Sequence, residues 1–461
     1  IGDVALSANT SGAGNTAVGM QSLDANTTGS NNTGFGVNTL TSNTTASYST
    51  AVGRDSLQNN TTGSYNLAVG YASANSNTTG TYMTGIGTYA AYSNTTGNIA
   101  AVGYQAGYNN TTGVANTALG RYRPLFSNTT GSYNTAIGDN ALYSNTTGGY
   151  NTCLGNTAGY TNTESSYNVF IGNAAGYTAD GSGATQLVYI GHNSGHLTTT
   201  ATLNTGVGSQ SLYTNTTGSQ NTAIGYNAMQ ATTTGGNNTA LGSQTLDANT
   251  TGERNTAIGN AALTTSTTSS DNTAVGYSAL QNKTTAFNCV AVGTRALQSV
   301  TTGHSNTAVG GSYGGYVGGA ITTGTFNTVL GTDAGYAVTT GGDNTCVGAG
   351  AGISITTGVN NTIIGQGCNT ASTSANAIAL GHEVGSQSDY FYFGKSGNVV
   401  YNNFTANASW TRSSDERWKK DITDNADCGL DFINDIRTVT YKWKAPSELD
   451  TSLSEYSATK T

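Results

Sequence analysis

A glycine that returns every 17 residues limits this chain more than any other feature. It stands at positions 2, 19, 36, 53, 70 and 87, then at 103, 120, 138, 155, 172 and 191, and continues through 208, 225, 242, 259, 276, 293, 310, 331, 348, 365 and 381. The unit around it reads Asn-Thr-Ala-Val-Gly-x-x-Ala-Leu-x-x-Asn-Thr-Thr-Gly-x-x, as at Asn15 to Asn31. Self-similarity at so short a fixed period is the signature of a solenoid, in which each repeat buries its apolar face only against its neighbours.

Seventeen residues are too few for a helix pair. The Thr, Val, Ile and Tyr content with Gly at the corners predicts an all-β coil of two short strands joined by turns. In Asn15-Thr16-Ala17-Val18-Gly19, alternation puts Thr16 and Val18 on one face and Asn15 and Ala17 on the other. Leu23 is expected to supply the apolar contact of the second strand. Asn-Thr-Thr-Gly then makes the return turn, with Asn bonding its own backbone and Gly at positive φ. Parallel coils stacked at the strand spacing form a rod on the order of 100 Å long over 22 steps. Equivalent residues must then stand in ladders. Asn leads at Asn15, Asn32, Asn66, Asn116, Asn134, Asn151, Asn221, Asn238, Asn255 and Asn272. Tyr forms others at Tyr48, Tyr65 and Tyr82, at Tyr133, Tyr150 and Tyr167, and at Tyr92 and Tyr108. With one Ala, one Val or Ile and one Leu or Ala per coil turned inward, the core is thin. Threefold association of the apolar strand faces is the expected remedy.

Composition removes several other classes. Gly is high at 64 residues but Pro is only 2, which excludes collagen. Charged residues are 8% of the chain, so Asn, Thr, Ser and Gly must provide its polarity. A net charge of −8 and no basic stripe argue against a nucleic-acid partner. No apolar run is long enough to insert in a membrane. Cys153, Cys289, Cys346, Cys368 and Cys428 are too dispersed for a disulfide framework and are read as free and structural, Cys153 and Cys346 taking the slot of the repeat's Ala. Ile1-Gly2-Asp3-Val4 has no signal-peptide pattern and no Met, so the sequence is expected to be a piece of a longer chain. Carboxylates and His are too sparse within the repeats to build a catalytic site for an external substrate, and no cofactor is expected.

Some local signals have a plain alternative. His192 and His196 are four apart, a metal pair only if helical, and Gly195 favours a loop. Enlarged coils at Arg121-Tyr122-Arg123-Pro124 and at Gly311 to Thr323 read as surface loops. Asn26, Asn43, Asn60, Asn94, Asn128, Asn145, Asn215 and Asn249 fit the glycosylation acceptor pattern, but turn chemistry repeated by the fold explains them. The Tyr ladders could offer sugar-stacking platforms, although stacking on one another accounts for them.

The repeat, from Ile1 to Gly381, resembles the head repeats of trimeric autotransporter adhesins, which are left-handed parallel β-rolls. It departs from them by the added Asn-Thr-Thr-Gly turn. A second resemblance follows a change of composition. Residues 412–461 hold 10 acidic and 8 basic residues. Before them, Asp389 to Gly394 and Gly397 to Tyr401 read as a capping hairpin with its turn at Lys395-Ser396-Gly397, within a connector at 382–413. Ser414-Asp415-Glu416-Arg417-Trp418-Lys419-Lys420-Asp421-Ile422, with Gly429-Leu430-Asp431-Phe432-Ile433 and Val439-Thr440-Tyr441-Lys442-Trp443-Lys444, resembles the intramolecular chaperone of viral tail fibres and endosialidases, here as its first part at 414–461. That resemblance implies trimerisation in register and a single self-cleavage at Ser413–Ser414, with Ser414 as nucleophile and Lys419 as its base. From spacing alone, the preferred reading is Ser414 as an N-cap and Lys419 as a solvated side chain, and it is the surrounding family residues that favour cleavage. The expected function is the shaft of a homotrimeric viral tail or side fibre that meets a host-surface glycan or protein. A bacterial surface adhesin and an ice-binding solenoid are the alternatives.

Overall fold

The computed structural model describes residues 1–179, 183–311 and 316–405, together with the backbone of strands Lys419–Asp424 and Val439–Trp443. It is an all-β parallel solenoid of about 22 coils, with no helix among the described residues. Each coil contributes one strand, usually of three residues, beginning with Thr16–Val18, Thr33–Phe35 and Thr50–Val52. Successive strands pair parallel and in register: Thr16 opposes Thr33 and Thr33 opposes Thr50. The series runs unbroken to Ile378–His382, which pairs with Tyr390–Lys395. There the hairpin read from sequence closes the sheet, with Asn398–Asn403 antiparallel to Tyr390–Lys395.

The second strand expected around Leu23 is not formed. Gln21 and Leu23 hold φ of 58° and 55°, and the pattern recurs at Asn38 and Leu40. Left-handed residues at alternate positions turn successive N–H groups to opposite neighbours. Gln21 N–H donates to Asp3 O one coil upstream at 2.9 Å, while Leu23 N–H donates to Thr39 O one coil downstream at 2.9 Å. The axial hydrogen bonding that a strand would provide is therefore retained in a tighter curve. Each such residue costs roughly 1 kcal/mol of backbone strain, and burial of Leu23 offsets it by about 2 kcal/mol.

The glycine roles also differ from expectation. Gly29, in the return turn, does not have positive φ; it is needed because a Cβ there would lie 2.2 Å from Ala46 O. The left-handed glycine is the anchoring one: Gly19 has φ +130°, and a Cβ on it would lie 2.3 Å from Gly36 O. The return turn is pinned as read from sequence, with Asn26 Nδ2 donating to Gly29 O at 3.0 Å.

The core departs from the expectation in one respect. The middle strand residue, Ala17, Ala51 or Ala68, is buried beside the turn leucine, Leu23, Leu40 or Leu57. The Val or Ile of the strand faces outward instead. Asn takes the interior place. Asn32 N–H donates to Asn15 Oδ1 at 2.9 Å, and Asn32 Nδ2 donates to Ala46 O at 2.8 Å. A second ladder stands in the return turn, where Asn43 Nδ2 reaches Asn26 Oδ1 at 2.7 Å and Asn77 Nδ2 reaches Asn60 Oδ1 at 2.7 Å. A coil this narrow cannot seat two branched side chains beside Leu, whereas a carboxamide bonded from above and below can be buried without an unpaired polar group. Asn26, Asn43, Asn60, Asn94, Asn128, Asn145, Asn215 and Asn249 are all fully buried, so none presents its amide to solvent as a glycan acceptor. Along the axis this slot turns apolar, reaching Val300, Ile321, Val338 and Ile355.

Cys153, Cys289, Cys346 and Cys368 are free and buried; Cys428 lies outside the described residues. The enlarged coil at Arg121 to Pro124 is taken up by the long strand Asn116–Tyr122, whose register shifts against Ile99–Tyr104 after Val102.

Candidate functional site

Since Ala faces inward, the residues on either side of it face outward. Every coil thus presents a pair on the sheet's outer surface, such as Thr16 and Val18, Thr222 and Ile224, or Thr239 and Leu241. Register stacks these pairs into two adjacent lines, one mostly Thr and one of Val, Ile and Leu. Leu119, Leu154 and Leu241 are each more than 40% exposed, which is unusual for a line of branched apolar side chains so long.

A second surface is aromatic. Tyr92, Tyr108, Phe126, Tyr143, Tyr160, Tyr177, His196 and Tyr213 form one continuous stack with ring centroids 5.0–5.3 Å apart. Sequence reading found only its first two members. The signal for the rest was present, because all stand at the same place in their coils, five or six residues after the anchoring glycine. Arg123 caps part of it, its guanidinium 5.0 Å from the Phe126 ring centre. The phenols of Tyr108 and Tyr160 are held above the ordinary tyrosine range, first by partial burial and then by the neighbouring phenols. The stacks Tyr48-Tyr65-Tyr82 and Tyr133-Tyr150-Tyr167 are more exposed, with nearly parallel planes. In each, the ring faces are largely occupied by neighbouring rings, so what meets solvent is an edge and a row of hydroxyls. That arrangement offers hydrogen bonds rather than stacking platforms for sugars.

His196 is consumed by this stack, 5.0 Å from Tyr177 and 5.2 Å from Tyr213, and its Nδ1 lies 3.3 Å from Ala174 O. His192 is exposed on the strand side of the same coil. The loop expected from Gly195 is present, with φ +60°.

The cleavage residues named from sequence fall at the far end. Ser413 and Ser414 lie outside the described residues. Lys419 begins the strand Lys419–Asp424, whose backbone pairs antiparallel with Val439–Trp443, Lys419 opposite Trp443. The pairing is interrupted between Lys420 and Thr423. The two strands thus carry parts of two of the three segments on which the chaperone resemblance rests, Lys419 to Ile422 and Val439 to Trp443. Residues 414–456 match the family model described as chaperone of endosialidase. The match begins at Ser414 itself, the residue expected to become a new N-terminus. A chaperone-of-endosialidase segment therefore follows the solenoid directly after its hairpin and connector. No curated protein matches the chain. Among the described residues no helix is long and apolar enough to cross a membrane.

Proposed function

We propose that this chain is the shaft of a homotrimeric tail or side fibre of a virus, assembled in register by its C-terminal chaperone segment and serving attachment to a host surface. The observation that carries the reading is the chaperone-of-endosialidase match at 414–456 immediately downstream of a parallel solenoid. A rod with identical coils can pair with its copies in many slipped registers of almost equal energy, so a folded trimeric end that fixes the register answers a real difficulty of this fold. The outward line of Val, Ile and Leu is the face on which the three copies meet, and the flanking Thr line satisfies its hydroxyls at the rim.

In the cleavage step, Ser414 Oγ attacks the carbonyl carbon of Ser413 while the Lys419 amine accepts its proton and passes it to the Ser414 nitrogen; the Ser413–Ser414 C–N bond breaks, leaving Ser413 as an ester on Ser414 Oγ, and water then hydrolyses that ester. The shaft is released with Ser413 as its last residue. Extracellular exposure fits the scarcity of charge and the hydroxyl-rich surface. An ice-binding face would need Thr at both outward strand positions, and the second is Val, Ile or Leu in most coils.

Expression of a gene that continues through the chaperone, followed by denaturing mass spectrometry and sedimentation, tests the proposal. A trimer whose shaft chain ends at Ser413 is the expected result, with Ser414→Ala giving an uncleaved trimer. A monodisperse monomer, or cleavage unaffected by Ser414→Ala, would overturn it.

A further inference from the structure

Position 283 breaks the pattern of its slot. Coils before it place Asn, Thr or Ser at this buried site, with Ala179 once, and the next four coils place Val or Ile, but here the residue is Lys283, itself fully buried. Its Nζ donates to Oδ1 of Asn272 at 2.5 Å. None of the ion pairs among the described residues includes it.

A second irregularity explains how the amine reaches that oxygen. In the coils just before it, the ladder Oδ1 accepts two bonds from the next coil: Asn238 Oδ1 receives Asn255 N–H at 3.0 Å and Asn255 Nδ2 at 3.1 Å, and Asn255 Oδ1 receives Asn272 N–H at 3.1 Å and Asn272 Nδ2 at 2.9 Å. One coil later the ladder is interrupted by Cys289. Its N–H still donates to Asn272 Oδ1 at 3.0 Å, but it has no carboxamide to give the second bond. Lys283 fills the place so vacated. The Cys289 thiol itself faces backbone carbonyls, its Sγ 3.7 Å from Phe287 O and 3.6 Å from Gly303 O. The result is a dry cluster of amine, carboxamide and thiol, with Asn272 1% exposed and the other two fully buried.

We infer that Lys283 and Asn272 become joined by an intramolecular isopeptide bond. The amine lone pair attacks Cγ of Asn272, whose carbonyl oxygen is polarised by the Cys289 N–H. The Cγ–Nδ2 bond breaks. One Nζ proton passes to the departing nitrogen, and ammonia leaves. No oxidant or external reactant is consumed, and water is excluded from the acyl carbon throughout. The reaction needs the neutral amine, and burial lowers the basicity of Lys283 in that direction. The product is a neutral amide where an ammonium would otherwise sit without a carboxylate partner. It ties the start of the strand Thr273–Val275 to the return turn of the same coil, across the interior.

Peptide mapping of the folded wild-type chain tests this without relying on any variant. The expected result is an intact mass short by one ammonia and a single tryptic peptide, Asn255 to Arg295, that carries the same deficit and is not cut after Lys283. Succinimide formation at another Asn also expels ammonia, so a chymotryptic cut after Tyr277 decides: the two halves, one with Asn272 and one with Lys283, should stay joined as a branched peptide. Lys283→Arg should abolish the ammonia deficit. A wild-type chain of unreduced mass, with Lys283 open to trypsin after denaturation, would overturn the inference.

Discussion

The carboxamide of Asn43 donates from Nδ2 to Oδ1 of Asn26, 2.7 Å away and one coil upstream. Its own Oδ1 accepts from Asn60 Nδ2 at 3.1 Å, and its Nδ2 also reaches Ala46 O at 3.2 Å. One side chain thus holds three coils at fixed spacing and secures its own turn. Asn43→Ala would leave buried donors and acceptors on both sides unpaired, at roughly 1–3 kcal/mol each. Hydrogen exchange should show opening confined to the neighbouring coils, because stability in such a stack is summed locally. Unchanged protection there would contradict the role assigned to the ladder.

Glycine substitutions separate two kinds of constraint. At Gly225, φ is +138° and a new Cβ would lie 2.3 Å from Gly242 O, so Gly225→Ala must displace backbone. At Gly350, φ is +66° with nothing within 4 Å, and Gly350→Ala should cost only the left-handed preference, about 1–2 kcal/mol. Thermal unfolding of the two variants should rank Gly225→Ala as clearly the more damaging.

Alkali should unfold the shaft through its thiols. Burial raises Cys346 from 9.0 to about 12, and Cys153 is raised for the same reason. The folded chain therefore keeps these protons where the unfolded chain releases them. Their stabilisation is fully present below about pH 9 and falls by roughly 1.4 kcal/mol per thiol for each further pH unit, until the folded groups ionise. Since Ala is the usual occupant of both sites, Cys153→Ala with Cys346→Ala should flatten the decline between pH 9 and about 12. Urea denaturation across that range gives the comparison.

The outward apolar line can be tested apart from the coil interior. Ile224 and Leu241 are neighbours on it and contribute little to their own chain's core. Ile224→Asp with Leu241→Asp should preserve circular dichroism yet lower the dissociation temperature of the trimer markedly, because each buried carboxylate is repeated in three copies without a partner. An unaltered dissociation temperature would place the subunit contact elsewhere.

Much of this fold was legible because the 17-residue glycine spacing is itself geometry: it determines the coil, the strand Thr16–Val18 and the ladders. Two matters were not. The composition around Leu23 suits a strand, and nothing in side-chain chemistry announces that non-glycine residues such as Gln21 and Leu23 adopt left-handed conformations alternately. Hydropathy also points Val18 inward and Asn15 outward, the reverse of what is found, because the burial of Asn is favourable only once identical coils lie above and below to complete its hydrogen bonds. The aromatic stack from Tyr92 to Tyr213 was partly hidden by its mixture of Tyr, Phe and His. The proposed cleavage pair, Ser414 and Lys419, rests on family residues rather than on the repeat.

Diffraction from oriented, purified fibres addresses the stacked coil most directly. Parallel strands in register along the axis predict a strong meridional reflection at about 4.8 Å. A pattern lacking that axial reflection, or one placing the strand spacing on the equator, would contradict the solenoid on which the rest is built.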